Sequence, residues 1–275
     1  MSSDADASAD VRLAERLTAV IVKAAAAIAA LDHGAVASRV KSDGSRATAA
    51  DLASEAIILR ELRDLAPDIA IVSEESARAR PTVRTFFLVD PLDGTAEFLA
   101  GRDEYTVNIA LVRDGAPVIG LIAQPAAGTI WRGVAGRGAQ RLSAMPGSAA
   151  LRAPTPIRSA RWPADRAVVA AVSRSHFEAA TAAFLRRLPR LDTIACGSAL
   201  KFARIAEGSA DVYPRLAPTC EWDVAAGHAL VAAAGGLVTT PAGKPLSYGR
   251  GEDFRVGGFI AWGDPAAARQ ALVME

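Results

Sequence analysis

Cysteine is scarce in this 275-residue chain: only Cys196 and Cys220 occur. Neither stands in a metal-ligand spacing, so a thiolate zinc site and a disulfide scaffold are both excluded. Two free thiols in a reducing cytoplasm are expected. A surplus of one charge is also missing. The 31 Lys and Arg against 30 Asp and Glu leave a net charge of +1. That balance provides no electrostatic footprint for nucleic acid, and no basic run suits a membrane surface. No long apolar run exists either, since the Ala-rich stretch from Ala19 to Leu31 is broken by Lys23 and is too short to span a bilayer. The start (Ser2, Ser3, Asp4, Asp6) lacks the basic residues of a signal peptide. A soluble protein without a transmembrane segment is expected. A Gly-rich loop ending in Lys-Ser or Lys-Thr is absent, which argues against a P-loop nucleoside triphosphatase. No Gly-x-Ser-x-Gly elbow supports serine hydrolase chemistry. His33, His176 and His228 show no ligand spacing, and His228 reads as a packing residue inside a helix.

Apolar residues make up 51% and charged residues 22%, ordinary usage for a globular chain long enough for one large domain or two smaller ones. The most informative segment is Phe86-Phe87-Leu88-Val89-Asp90-Pro91-Leu92-Asp93-Gly94-Thr95. Four apolar residues in a row read as a strand buried on both faces. Pro91 cannot continue a central strand, so a turn is expected there. Asp90 and Asp93 are then held at the end of a rigid element. At about 4 Å and an effective dielectric of roughly 20, two ionised carboxylates repel by about 4 kcal/mol. A compensating cation is implied, and oxygen ligands favour magnesium or calcium over zinc.

The pattern predicts a helix from Asp10, as N-cap, to about Leu31, then a polar loop at Lys41–Ser45. A second helix runs from about Ala49 to Ala66, with Thr48 and Asp51 in capping-box spacing. Strands follow at Ile69–Val72 and at Phe86, separated by a loop over Arg78–Arg84. Tyr105–Val112 and Pro117–Ile122 form a hairpin across Asp114-Gly115. Ile130–Ala135 is another strand, and Ser143–Pro163 reads as loop. The domain boundary is placed there, dividing an α+β metal-binding half (1–155) from an α/β half (156–275). The second half alternates. Strands are expected at Ala167–Val172, Leu191–Ala195, Ala210–Tyr213, Leu237–Thr239 and Gly258–Ala261. Helices are expected at Phe177–Leu188, Ala199–Glu207, Val224–Ala234 and Pro265–Val273.

Acids arrive at three places: Glu74 and Glu75 after one strand, Asp90 and Asp93 after another, and Asp223 before a helix. Each has an ordinary alternative. Glu74 and Glu75 alone read as solvated loop acids, and Asp51 and Asp223 as helix caps. Ligands of open α/β sheets collect at carboxyl ends of strands, so together these acids tip the balance toward metal binding. Gly94-Thr95 and Gly197-Ser198 stand at helix starts, where free amides favour phosphate. Carboxylates, divalent cations and phosphate-seeking helix ends together suit phosphate-ester hydrolysis.

Ordered motifs carry a family resemblance: Lys41-x-Asp43-x-Ser45-x-x-Thr48-x-x-Asp51, Ser73-Glu74-Glu75, Asp90-Pro91-Leu92-Asp93-Gly94-Thr95 and Trp222-Asp223. They resemble the inositol monophosphatase superfamily of Mg-dependent, lithium-sensitive phosphatases, from about Asp10 to Ile260. Glu97-Phe98, Glu104–Leu111, Ser173–His176, Gly197-Ser198-x-Leu200-Lys201-Phe202, Ala210-Asp211-x-Tyr213-Pro214-Arg215 and Glu221-Trp222-Asp223 are similar to its bacterial CysQ-type 3'(2'),5'-bisphosphate nucleotidases. The resemblance implies an α/β (α+β) fold, a layered αβαβα sandwich. It also implies two or three Mg2+ ions. Glu74, Asp90 and the Leu92 carbonyl would hold the first, and Asp90, Asp93 and Asp223 the second. A weaker third would sit near Glu74. Glu74, with Thr95 and Asp51, would orient the attacking water. The substrate would meet Glu74, Leu92, Asp93, Gly94, Thr95, Ser198, Lys201, Arg215 and Asp223. Lys41 and Asp43 would lie on a loop closing over the metals. Where Arg215 stands, inositol-phosphate members usually carry an acid, and an arginine with Lys201 nearby suits a second phosphate. A solvated helix lysine is the plain alternative for Lys201. The short loop between Glu75 and Phe86 departs from the family and implies a different rim.

The activity expected is therefore hydrolysis of the 3'-phosphate of adenosine 3',5'-bisphosphate to AMP and phosphate, recycling a by-product of sulfur assimilation. A phosphatase for inositol or sugar monophosphates is the alternative, and a non-catalytic metal- or nucleotide-binding regulator is a third. The partner expected is the small bisphosphate nucleotide, with no nucleic acid, and a homodimer is allowed. The expected location is cytoplasmic, with peripheral attachment at the cytoplasmic face of the inner membrane as a variant.

Overall fold

The computed structural model describes residues 2–31, 38–40, 46–77, 82–144, 150–175, 177–188, 190–250 and 253–268. Lys41, Asp43, Ser45, His33 and His176 lie outside the described residues, as do 78–81 of the Glu75–Phe86 loop and the end of the expected last helix.

The first half contains α1 (Ser2–Ala29), the small pair β1 (Ser38–Val40) and β2 (Arg46–Thr48), and α2 (Ala49–Leu65). Then come β3 (Ala70–Ser73), β4 (Thr85–Asp93), α3 (Thr95–Leu99), β5 (Thr106–Arg113), β6 (Ala116–Gln124), β7 (Thr129–Val134), β8 (Gly138–Ser143) and β9 (Thr155–Ile157). β3 to β9 make one seven-stranded sheet in chain order, antiparallel except for the parallel β3–β4 pair. The second half contains β10 (Val168–Ser173), α4 (Ala179–Leu185), β11 (Leu191–Cys196), α5 (Leu200–Ala206), β12 (Val212–Arg215), β13 (Thr219–Cys220), α6 (Glu221–Ala233), β14 (Leu237–Thr239), β15 (Arg255–Val256) and β16 (Phe259–Trp262). Five of these strands form a mixed sheet in the order β11-β10-β12-β16-β14, with β16 antiparallel to both neighbours.

Side-chain alternation explains the layers. On β4, Phe87 and Val89 point into a core shared with Leu17, Ile21, Ile28, Ile58 and Leu62 of α1 and α2. Phe86 and Leu88 point the other way, into a core with Phe202 of α5, Leu230 of α6, and Tyr213 and Phe259 of the second sheet. Val168, Ala170, Ile260 and Trp262 cover the far side of that sheet with Leu185 of α4. The result is helices, sheet, helices, sheet, helices: the αβαβα sandwich. The unbroken Phe-Phe-Leu-Val run is apolar because both faces of β4 are covered.

Four expectations need correction. β4 does not stop at Pro91. It continues to Asp93 through a register shift between Asp90 and Asp93, and a bulge tolerates a residue with no N–H to donate. Asp10 is not an N-cap, since α1 begins at Ser2. Its buried carboxylate accepts two bonds from Arg113, at 2.8 and 2.9 Å. β8 lies where only glycine turns were expected, and β9 lies within the stretch read as loop. In the second half the sheet is mixed, because β16 runs antiparallel to β12. The hairpin turn at Asp114-Gly115 is present, with φ of 54° and 81° at its two central residues.

Candidate active site

The acids gather because several elements end at one place. Glu74 follows β3, and its amide donates to the Val89 carbonyl at 3.1 Å, which binds it to β4. The β4 bulge presents Asp90 and Asp93 in succession. Asp90 Oδ1 accepts from the Leu92 amide at 3.1 Å, and the Ser54 hydroxyl donates to the Pro91 carbonyl at 2.7 Å. Among the described residues, Asp93 Oδ2 receives long contacts, from Asn108 at 3.3 Å and Thr106 at 3.5 Å. In the first turn of α6, Asp223 accepts from the Cys220 amide at 3.0 Å and from the Thr219 hydroxyl, so it closes a capping box with Cys220 at the helix start. Asp51 likewise caps α2 through Oδ2, which accepts from the Thr48 amide at 2.7 Å and the Thr48 hydroxyl at 2.6 Å. Its Oδ1 remains for the Thr95 hydroxyl, at 3.3 Å.

A cavity of about 430 Å³ opens over this group. Glu74, Asp93, Gly94 and Thr95 line it from the first half, and Asp223 enters from α6. Gly197, Ser198 and Lys201, from the β11–α5 turn and α5, line it from the second half, with Tyr213 and Arg215 of β12. Asp51, Asp90 and Leu92 are buried and stand outside that lining. The Leu92 side chain belongs to the core, which leaves only its carbonyl for chemistry. Gly94 must be glycine: its φ is 91°, and an added Cβ would lie 2.1 Å from the Ser198 hydroxyl.

Burial pushes the Asp90 carboxyl well above its ordinary range, and the charges of Glu74, Asp93, Asp223 and Asp51 push it further. Burial and then Asp223 raise Asp93 to about 6, against the pull of Lys201, Asn108 and Arg215. Burial also raises Asp223, although its Thr219 and Cys220 bonds favour the charged form. Carboxylates that lift one another in this way are short of positive charge. Hard oxygen donors with excess negative charge fit Mg2+ or Ca2+. Among the described residues no three acid, histidine or cysteine side chains already converge to ligand spacing, so the acids surround a site without preassembling a shell.

Two cations face the acids. Lys201 is not a solvated lysine: it is 2% exposed, and Nζ donates to the carbonyls of Ser198 (2.6 Å) and Cys196 (3.2 Å) above the Tyr213 ring. Burial lowers its pKa. Arg215 is held cationic by Tyr213, Asp223 and Asp93 against the cost of burial, and among the described residues its buried Nε has no hydrogen-bond acceptor. His228 is a packing residue on α6, bonded to the Tyr248 hydroxyl at 3.0 Å and lowered by burial to about 4.

Thr106, Asn108 and Thr219 were missed in the sequence. Thr106 and Asn108 interrupt an otherwise apolar strand, opposite Asp93 and Asp90 in register. That interruption was the available signal. Thr219 lies four residues before Asp223, outside any recognisable motif.

The model of the inositol monophosphatase family matches residues 4–271. The chain belongs to the inositol monophosphatase family. Phosphatases of this family depend on metal ions, typically Mg2+. Within the family, the chain is 41% identical over 222 residues to the 3'(2'),5'-bisphosphate nucleotidase CysQ of Shigella flexneri, covering 80% of this chain and 86% of that protein. The crystal structure of CysQ from Bacteroides thetaiotaomicron superposes with a TM-score of 0.77 at 33% identity, over 90% of this chain and 96% of that one. The Thermotoga maritima IMPase shares the family fold, at a TM-score of 0.74 and 23% identity, over 94% and 95% of the two chains. No described helix is long and apolar enough to cross a membrane.

Proposed function

We propose that this protein is a Mg-dependent phosphatase that removes the 3'-phosphate of adenosine 3',5'-bisphosphate, yielding AMP and phosphate. The observation that carries the reading is the pairing of one acid-rich wall with a second wall bearing Lys201 and Arg215 in a single cavity. Its similarity to 3'(2'),5'-bisphosphate nucleotidases supports the same substrate. In this reading residues 1–155 supply the metal-binding half and residues 156–275 complete the substrate cleft.

Glu74, Asp90 and the Leu92 carbonyl would hold one Mg2+, and Asp90, Asp93 and Asp223 a second, with a weaker third near Glu74. When bound, the ions supply Lewis acidity, lowering the pKa of water and neutralising charge on phosphate oxygens. The chain does the rest. Glu74 stands at the cavity edge, where it orients a water and accepts from it. The Thr95 hydroxyl has two acceptors on the protein side, Asp51 Oδ1 and the Leu92 carbonyl, both at 3.3 Å. Its lone pairs are thus left to accept from the same water, and Asp51 is the onward acceptor for the proton. The amides of Gly94 and Thr95 grip the transferred phosphate. Ser198, Lys201 and Arg215 receive the second phosphate, Arg215 by a fork that lysine cannot make.

The test is a substrate panel with the purified protein and Mg2+. Release of AMP and phosphate from adenosine 3',5'-bisphosphate is expected to exceed release from inositol 1-phosphate. The reverse order would select the inositol- or sugar-monophosphate reading. The same proposal places the enzyme in the cytoplasm, and fractionation tests for attachment at the inner membrane's cytoplasmic face. Sedimentation tests for a homodimer.

A further inference from the structure

The two walls of the cavity come from segments far apart in the chain, and one polar seam joins them. Asp93, Glu97 and Glu104 supply one side of the seam, and Arg174, Ser175, Ala195, Gly197 and Ser198 the other. Glu104 is at its centre. Glu104 Oε2 accepts from Arg174 Nε at 2.7 Å and from the Gly197 amide at 3.0 Å. Oε1 accepts from Arg174 Nη2 at 2.7 Å, which completes a two-pronged contact. The same Nη2 donates to the Ala195 carbonyl at 2.7 Å, so Arg174 reaches the strand that leads into the Gly197-Ser198 turn. The Ser198 hydroxyl sits 2.8 Å from both the Asp93 and the Glu104 carbonyls. Ser175 donates to Glu97 across the same line. The fit leaves no slack: a Cβ on Gly197 would lie 2.5 Å from the Glu104 carbonyl.

None of these bonds needs to touch a reacting atom. They join Asp93 and Gly94, on the wall assigned to the transferred phosphate, to Ser198 and Lys201, on the wall assigned to the second. A substrate with two phosphates carries them at a separation set by its own covalent frame. Both are gripped only if the walls stand at the matching distance. A substrate with one phosphate makes no such demand. We propose that Glu104 and Arg174 are positioning residues that fix the spacing of the two phosphate stations and so set the preference for bisphosphate over monophosphate substrates. This inference rests on the proposed bisphosphate activity.

A merely structural ion pair, with side-chain exposures of 40% for Arg174 and 25% for Glu104, contributes little to stability and would leave substrate choice untouched. The experiment is steady-state kinetics on adenosine 3',5'-bisphosphate and on 3'-AMP, which lacks only the second phosphate. Wild type is compared with Arg174→Ala, Arg174→Lys, Glu104→Gln and the Arg174→Ala/Glu104→Gln pair. Arg174→Ala is expected to raise KM for the bisphosphate about tenfold while kcat and all 3'-AMP parameters stay within about twofold. Arg174→Lys should recover part of the loss, and the double variant should be no worse than the poorer single one. An equal loss on both substrates, or an unchanged bisphosphate KM, would overturn the assignment. Melting temperatures are measured alongside, and Arg174→Ala, at the more exposed partner, carries the test if Glu104→Gln fails to fold. A wild type that handles 3'-AMP as well as the bisphosphate would also overturn the assignment, since no preference would exist to be set, whereas a wild type that prefers inositol 1-phosphate would remove the parent reading, and both outcomes are visible before any variant is made.

Discussion

Asp93 concentrates the chemistry of the site in one side chain. It is half-buried at the cavity, burial and then Asp223 push its pKa up while Lys201 and Arg215 pull it down, and its contacts from Asn108 and Thr106 are at the long end of hydrogen bonding. Asp93→Asn keeps the shape and removes the charge. Turnover is expected to fall below detection while circular dichroism stays that of the wild type, and residual activity would remove the two-metal mechanism. Asp93 also predicts a pH dependence. In the metal-free fold it keeps its proton up to about 6, but in the unfolded chain it ionises around 3.8. Between those values the folded state binds more protons, so stability falls as pH rises. Asp90 and Asp223 are shifted in the same direction. Glu104 and Glu178, held below 4.5 by their partners, change protonation only at lower pH, and His228, lowered by burial from 6.5 to about 4, works the other way below 6.5, one group against three acids. EDTA-treated protein should therefore melt higher at about pH 5 than at about pH 7.5, and Mg2+ should raise the melting temperature more at the higher pH. On the opposite wall, Arg215→Glu should impair bisphosphate substrates while sparing monophosphates. Equal loss on both would contradict the second-phosphate role.

Elements differ in how far their neighbours in sequence announce them. The Thr48–Asp51 capping box and the Asp114-Gly115 turn were legible because each is a local arrangement. The acids of the site were legible for a related reason, since Asp90 and Asp93 share one bulge. β8 and β9 were not, because their identity depends on pairing with β7 and with each other rather than on their own composition. Asp10 looked like a cap, but the partner that claims it is 103 residues away. The placement of α6 was hidden as well. A Cβ on Gly120 would lie 2.2 Å from the Ala226 carbonyl, and one on Gly133 would lie 2.8 Å from Leu230 Cα. These bare positions let the helix lie flush on β6 and β7, with Asp223 at the cavity. Gly120→Ala should push α6 outward, at a cost of about 1–3 kcal/mol. A lower melting temperature together with a higher Mg2+ requirement is the expected pair of readouts. A destabilised variant with unchanged Mg2+ dependence would show that the helix position does not reach the site.

At the scale of the whole molecule, the acids gathered from both halves need cations, and those must come from solution or from Lys201 and Arg215. Removing metal with EDTA should abolish turnover, Mg2+ should restore it, and added Li+ should depress the restored rate. Activity that persists after EDTA would show that Lys201 and Arg215 suffice.

The interleaved order of the layers has a consequence for synthesis. One face of the seven-stranded sheet is covered by α1 and α2, made first, but the other face waits for α5 and α6. A ribosome that has just finished β9 therefore holds a sheet whose apolar side has no lid, with Phe86, Leu88, Val112 and Ile122 open to any sticky neighbour. Some seventy-five further codons must be read before residue 233 completes α6 and closes it. The first half is thus a debtor to the second, and cutting the gene between them should yield aggregate rather than two working pieces.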